Sequence, residues 1–124
     1  MPSVGTIEYV FDDTLQQLEN VLIDLIDISG VEVLSVLGDE KIIYAREEIY
    51  SYDDEFLGTL VTIYSTATPE AIKKVIEAIR KEEIMEKNKD RVIQILEELA
   101  EVIPKALSKL KELYGERESY VIIV

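Results

Sequence analysis

The sequence contains no cysteine, no histidine and no tryptophan. Without Cys or His, the Ser-His-Asp and Cys-His nucleophile systems are closed. Zinc sites built on those ligands are closed too, and neither disulfides nor thiol chemistry is available. Glycine and proline are sparse, five and three in 124 residues. Gly5, Gly30, Gly38, Gly58 and Gly115 stand too far apart to form a P-loop or a dinucleotide fingerprint. Apolar runs are short, so no membrane-spanning helix is expected. Met1 to Gly5 has no basic region leading into an apolar stretch, so no signal peptide is expected. There are no internal repeats and no low-complexity tracts.

Basic residues are also scarce, 13 against 26 acidic ones, for a net charge of −13. The imbalance is uneven. Residues 1–68 hold fourteen acidic side chains and two basic ones, Lys41 and Arg46. Residues 69–124 are nearly balanced, with twelve acidic and eleven basic. Direct binding of the front half to a phosphate backbone is therefore disfavoured. A basic partner, a cation or simple solubility are the readings left open.

What is present is a single-domain length with 48% apolar residues, enough for a core without metal or disulfide staples. Abundant Ile, Val, Glu and Lys beside scarce Asn and Gln match a thermophile composition. A thermophilic source, archaeal or an archaeal virus, and a cytoplasmic location are expected.

The chain is organised around a long helical stretch, Asn88 to Gly115. Val92, Leu96, Leu99, Ile103, Leu107, Leu110 and Tyr114 recur at three- and four-residue steps. Ile95, Val102, Ala106 and Leu113 widen the stripe. So broad a face fits a lid on a sheet better than a narrow coiled-coil seam. Pro104 falls off the stripe and predicts a bend.

Taken in order, Val4 to Phe11 alternates as a first strand, with Ile7, Tyr9 and Phe11 on one side. Asp13 with Gln16 matches a capping box for the helix after it. Leu15, Leu18, Leu22, Leu25 and Ile26 give that helix its apolar face, and Gly30 reads as the left-handed residue beyond it. Val31 to Leu37 reads as a second strand, Lys41 to Tyr52 as a third and Phe56 to Thr66 as a fourth. Short polar links predict an antiparallel meander for these three. Gly58 marks a bulge or a close backbone approach.

Thr68-Pro69 caps and opens the next helix, with Ile72, Val75, Ile76 and Ile79 on one face. That phase then meets Glu83, Glu86 and Asp90, so a break is placed at Lys87-Asn88-Lys89. One continuous helix over residues 69–114 is the alternative. Ser119 to Val124 is a final strand, apolar on both parities. The expected order is β-α-β-β-β-α-α-β, an α+β two-layer sandwich with helices on one face of a mostly antiparallel sheet. A ferredoxin-like variant, with a strand between the first two, fits this order.

Carboxylates are the chemistry that remains. Asp53-Asp54-Glu55, or Asp24 with Asp27, offer oxygen ligands for Mg²⁺ or Ca²⁺, but the spacing matches no calcium loop and adjacent acids at a tight turn are ordinary. A carboxylate-pair glycosidase needs a cleft that nothing in the sequence locates. A restriction-type nuclease lacks its acidic residue and E-x-K pair on adjacent strands. No catalytic residue, cofactor or metal site is assigned.

The tyrosines are more informative. Tyr44, Tyr50 and Tyr52 share one parity of the third strand, and Tyr64 lies on the fourth with Leu60. Both parities of these strands carry apolar residues, while a two-layer fold covers only one sheet face with its own helices. The uncovered face, with Tyr44, Tyr50, Tyr52, Leu60 and Tyr64, is the candidate interface. Its simplest cover is a second copy of the chain. The plain alternative is that Tyr suits a half-wet strand surface, and a small-molecule platform is a third.

The expected function is a small non-enzymatic interaction or regulatory module that self-associates, as a dimer, and binds a partner protein, with a basic partner as one option. No direct nucleic-acid or membrane partner is expected. An acidic mimic of nucleic acid, using Asp12, Asp13, Glu19, Asp24, Asp27, Glu32 and the Asp53–Glu55 turn, is the second reading. A small-ligand or divalent-cation binder is the third.

Overall fold

The computed structural model describes residues 12–124 in full and residues 4–7 as backbone. The elements are β1 (Val4–Ile7), α1 (Asp13–Ile28), α2 (Val31–Asp39), β2 (Ile43–Tyr50), β3 (Phe56–Tyr64), α3 (Pro69–Arg80), α4 (Lys89–Tyr114) and β4 (Ser119–Ile123). The architecture is the α+β two-layer sandwich, but the order is β-α-α-β-β-α-α-β. The expected continuation of the first strand through Tyr9 and Phe11 lies outside the described residues.

The departure from the expected order is α2. Val31 to Leu37 carries three valines, residues that suit a strand. The same residues also carry Val33 and Leu37 at a helical i, i+4 spacing, and both are fully buried. A stretch this short satisfies either period, and packing decides between them. Here α2 packs against β2 and α3. Gly30 is accordingly not the left-handed end of α1. Ser29 closes α1, its N–H donating to the Leu25 carbonyl, and Gly30 is the extended N-cap of α2. The reversal into β2 is made instead by Lys41 at φ 53, with the Ile42 N–H donating to the Leu37 carbonyl.

The sheet runs β1-β4-β3-β2. β2 and β3 form an antiparallel hairpin, β3 and β4 pair antiparallel, and β1 adds to β4 in parallel. The expected three-strand meander is therefore one hairpin, extended by β4 from the far end of the chain. β1 and β2 become the two edges with β4 and β3 between them, one strand more than the ferredoxin-like variant holds there.

The helical layer is built around α4, which packs on α1 on one side and α3 on the other. Leu96, Leu99, Ile103 and Leu110 are fully buried within one chain, and Leu107 is half-buried. This face is consumed by the core and is not left for a partner. Each such leucine or isoleucine contributes on the order of 1.5–3 kcal/mol through burial. Pro104 sits on the exposed side, where its missing N–H costs the least packing. Two helices, not one, occupy residues 69–114. α3 ends at Arg80, and a loop that buries Ile84 leads to Asn88 and α4.

Candidate functional site

The core side of the sheet is marked by Ile43, Val61, Ile63 and Ile122, all fully buried, and by Tyr120. Side chains alternate across a strand, so the register defines the opposite side. Its central row is Tyr44, Thr62 and Val121. Tyr64 pairs with Ser119 on one flank of that row and Leu60 with Ile123 on the other. Ile49 faces Gly58 further along the hairpin. None of these paired outward positions carries a charge, in a sequence that is 31% charged. Tyr44 and Ile123 are exposed, and Leu60, Tyr64 and Val121 are half-exposed.

Thr62 lies at the centre of this face and is only 5% exposed. Its hydroxyl has no hydrogen-bond partner among the described residues. A buried, unpaired hydroxyl costs on the order of 1–3 kcal/mol. Tyr44, at the edge, is steadied by Gly38. A Cβ on Gly38 would come within 3.0 Å of the Tyr44 ring, so the absence of a side chain there lets the ring lie down against α2.

The structure does not keep all five candidate interface residues together. Tyr44, Leu60 and Tyr64 share the outward face. Between Ala45 and Glu48 the ladder slips, with three steps on β2 matched by two on β3. This bulge places Arg46 and Glu47 in the irregular segment and reverses the parity of the rest of the strand. Tyr50 therefore leaves the face that Tyr44 occupies. Tyr52 lies beyond the strand, in the turn, and is fully exposed.

Tyr50 and Tyr52 instead belong to the tip of the β2–β3 hairpin, a second surface that the sequence did not separate. Tyr50 packs edge-on against Phe56, with ring centroids 5.7 Å apart. Its hydroxyl donates to the Glu48 carboxylate, and this bond is the main reason that its pKa is raised above the ordinary tyrosine value. Phe56 and Leu57 are exposed beside it. The turn itself is held by Ser51, whose Oγ accepts from the N–H groups of Asp53 and Glu55 at 3.3 and 3.1 Å. Asp54 adopts φ 61, a conformation Asp tolerates better than most residues. The only sequence signal for the bulge was the break in alternation at Arg46-Glu47-Glu48, three charged residues in a row.

The carboxylates are dispersed. Asp12 pairs with Lys109 at 3.4 Å and Asp24 with Arg91 at 3.7 Å. Asp53, Asp54 and Glu55 point outward from the turn. Among the described residues no three carboxylates are placed to share a metal ion. An open groove of about 640 Å³ lies where the α1–α2 junction meets the loop before α4, between Val31 and Met85. Glu86 bridges its floor, accepting from the N–H groups of Gly30 and Asn88 at 2.8 and 3.1 Å. A second groove, of about 490 Å³, runs between α3 and α4 with Lys73, Arg80, Glu97 and Glu101 on its walls. Asp12, Glu19 and Tyr50, the groups whose ionisation is shifted among the described residues, line neither groove. No helix among the described residues is long and apolar enough to cross a membrane. Comparison with protein-family models, curated proteins and solved structures finds no match to this chain.

Proposed function

We propose that this chain is a small, non-enzymatic protein-interaction module that associates with a second copy of itself through the outward face of its sheet. The observation that carries this is the lack of any charge at the paired outward positions around Tyr44, Thr62 and Val121, on a protein in which 31% of residues are charged. Charge depletion and tyrosine enrichment mark interface centres. A two-fold dimer is the simplest way to cover a self-complementary face.

The grooves support a small-ligand role less well, because neither gathers convergent polar groups with shifted ionisation. For the nucleic-acid mimic, two of the intended carboxylates, Asp12 and Asp24, are engaged by Lys109 and Arg91.

Light scattering tests the dimer. The wild-type chain is expected at twice the chain mass. Leu60→Glu, which puts a charge on the outward face without touching the helical layer, is expected to be a folded monomer. A wild-type monomer up to about millimolar concentration, where even weak pairs form, overturns the proposal.

A further inference from the structure

The hairpin tip is a different surface from the sheet face, and three features of it bear on what it binds. It extends past the core. Ile43 and Ile63 are fully buried at the base of the hairpin, whereas Glu47, Glu48, Tyr50, Phe56 and Leu57 are exposed on both sides of it. It is rich in both apolar and acidic groups. Residues 46–57 carry five carboxylates against one guanidinium, and none of the five is in an ion pair among the described residues. Finally, β2 is an edge strand, paired with β3 alone. Its other side presents backbone donors and acceptors to which a further strand can add.

We propose that this arm, residues 46–57, is the docking site for an extended basic segment of another protein, in which Lys or Arg alternates with apolar side chains. The segment adds to the free edge of β2. Its apolar side chains rest on Tyr50, Tyr52, Phe56 and Leu57, and its cations meet Glu47, Glu48, Asp53, Asp54 and Glu55. The other occupants fit less well. A second copy would set five carboxylates against five. Phosphate backbones and anionic lipid surfaces are repelled by the same charges. The inference rests on the chain being an interaction module, but not on its forming a dimer.

The test uses the full chain and three synthetic peptides of equal length, monitored by fluorescence anisotropy. One alternates lysine with leucine, one lysine with serine and one glutamate with leucine. The lysine-leucine peptide is expected to bind best. Its affinity is expected to fall by roughly tenfold or more in Tyr52→Ser/Phe56→Ser, as for central interface anchors. A similar loss is expected in Glu47→Gln/Asp53→Asn/Asp54→Asn, while Glu98→Gln on the exposed side of α4 leaves binding unchanged. Circular dichroism verifies that each variant is folded, and Tyr52 and the three carboxylates are exposed enough to be replaced without loss of core packing. Unchanged affinity in either arm variant overturns the proposal. So does equal binding of the lysine-serine or glutamate-leucine peptide, or no binding by any of them. Light scattering on the same samples reports the dimer separately, so a failed dimer and a failed arm site are told apart.

Discussion

Asp12 shows how a single residue joins the two ends of the chain. Its carboxylate accepts from the N–H groups of Thr14 and Leu15 at 2.9 and 3.2 Å, capping α1, and it lies 3.4 Å from Lys109 near the end of α4. The Leu15 N–H is the largest influence holding its pKa below the ordinary carboxylate value, with Lys109 and the Thr14 N–H adding to it. A carboxylate with a lower pKa in the folded state stabilises that state while it is charged. Its contribution is therefore complete above the unfolded value of about 4 and is lost as pH falls through the lower folded value. Asp12→Ala is expected to lower the thermal midpoint at neutral pH. The difference from wild type should shrink as the solution is acidified below the unfolded value of about 4 and the carboxylate loses its charge. A difference that persists unchanged at acid pH would show that the cap acts without its charge. The pattern D-x-x-Q pointed one residue along, to Asp13. Two adjacent aspartates look alike in the sequence, and Lys109, about a hundred residues away, is part of what distinguishes them.

At the scale of elements, the hairpin is governed by Gly58. Its φ of +156 and its neighbours leave no room for a side chain. A Cβ there would lie 2.7 Å from Ile123 Cγ2 and 2.9 Å from the Val124 carbonyl oxygen, and the second of these is backbone and cannot swing away. The close approach lets Thr59 and Val124 exchange hydrogen bonds at 2.8 and 3.0 Å, which ties the end of β4 to the hairpin. Gly58→Ala is expected to destabilise the chain by about 1–3 kcal/mol, through overpacking and strain, as measured by urea denaturation. Hydrogen exchange should rise first at Thr59 and Val124. The sequence marked Gly58 as a bulge or a close approach, and both occur, because the ladder slips again between Ile49 and Tyr50. The first bulge, at Arg46-Glu47, was not legible in the same way. Parity counted along β2 assumed an unbroken pleat, and it therefore placed Tyr50 and Tyr52 with Tyr44. That Leu60 and Tyr64 share one face was legible because β3 has an unbroken ladder from Leu60 to Tyr64 against β4.

For the whole molecule, charge sets the two surfaces apart. A dimer brings together two chains of net charge −13, so its uncharged contact forms against long-range repulsion. Screening relieves that repulsion. Self-association by sedimentation is expected to strengthen between about 0.05 and 0.5 M salt, as the screening length falls from over 10 Å to a few Å. Binding of a basic segment at the arm is expected to weaken over the same range. Dimerisation that weakens with salt would mean that ion pairs, not the uncharged sheet face, hold the copies together.

The sequence by itself determined the class of the fold, the Thr68-Pro69 start and the buried stripe of α4, while it left open whether residues 69–114 hold one helix or two. Each of these comes from burial on one side of an element, which writes itself into the chain as spacing, or from a cap whose chemistry is local. Only the tertiary structure decided that Val31–Asp39 is a helix, that β4 joins the hairpin while β1 lies at the edge, and that the tyrosines divide between a sheet face and an arm. Those outcomes depend on partners far away in the chain. Where two local conformations are nearly equal in free energy, as for Val31–Asp39, the surface buried against such partners outweighs the small difference between them.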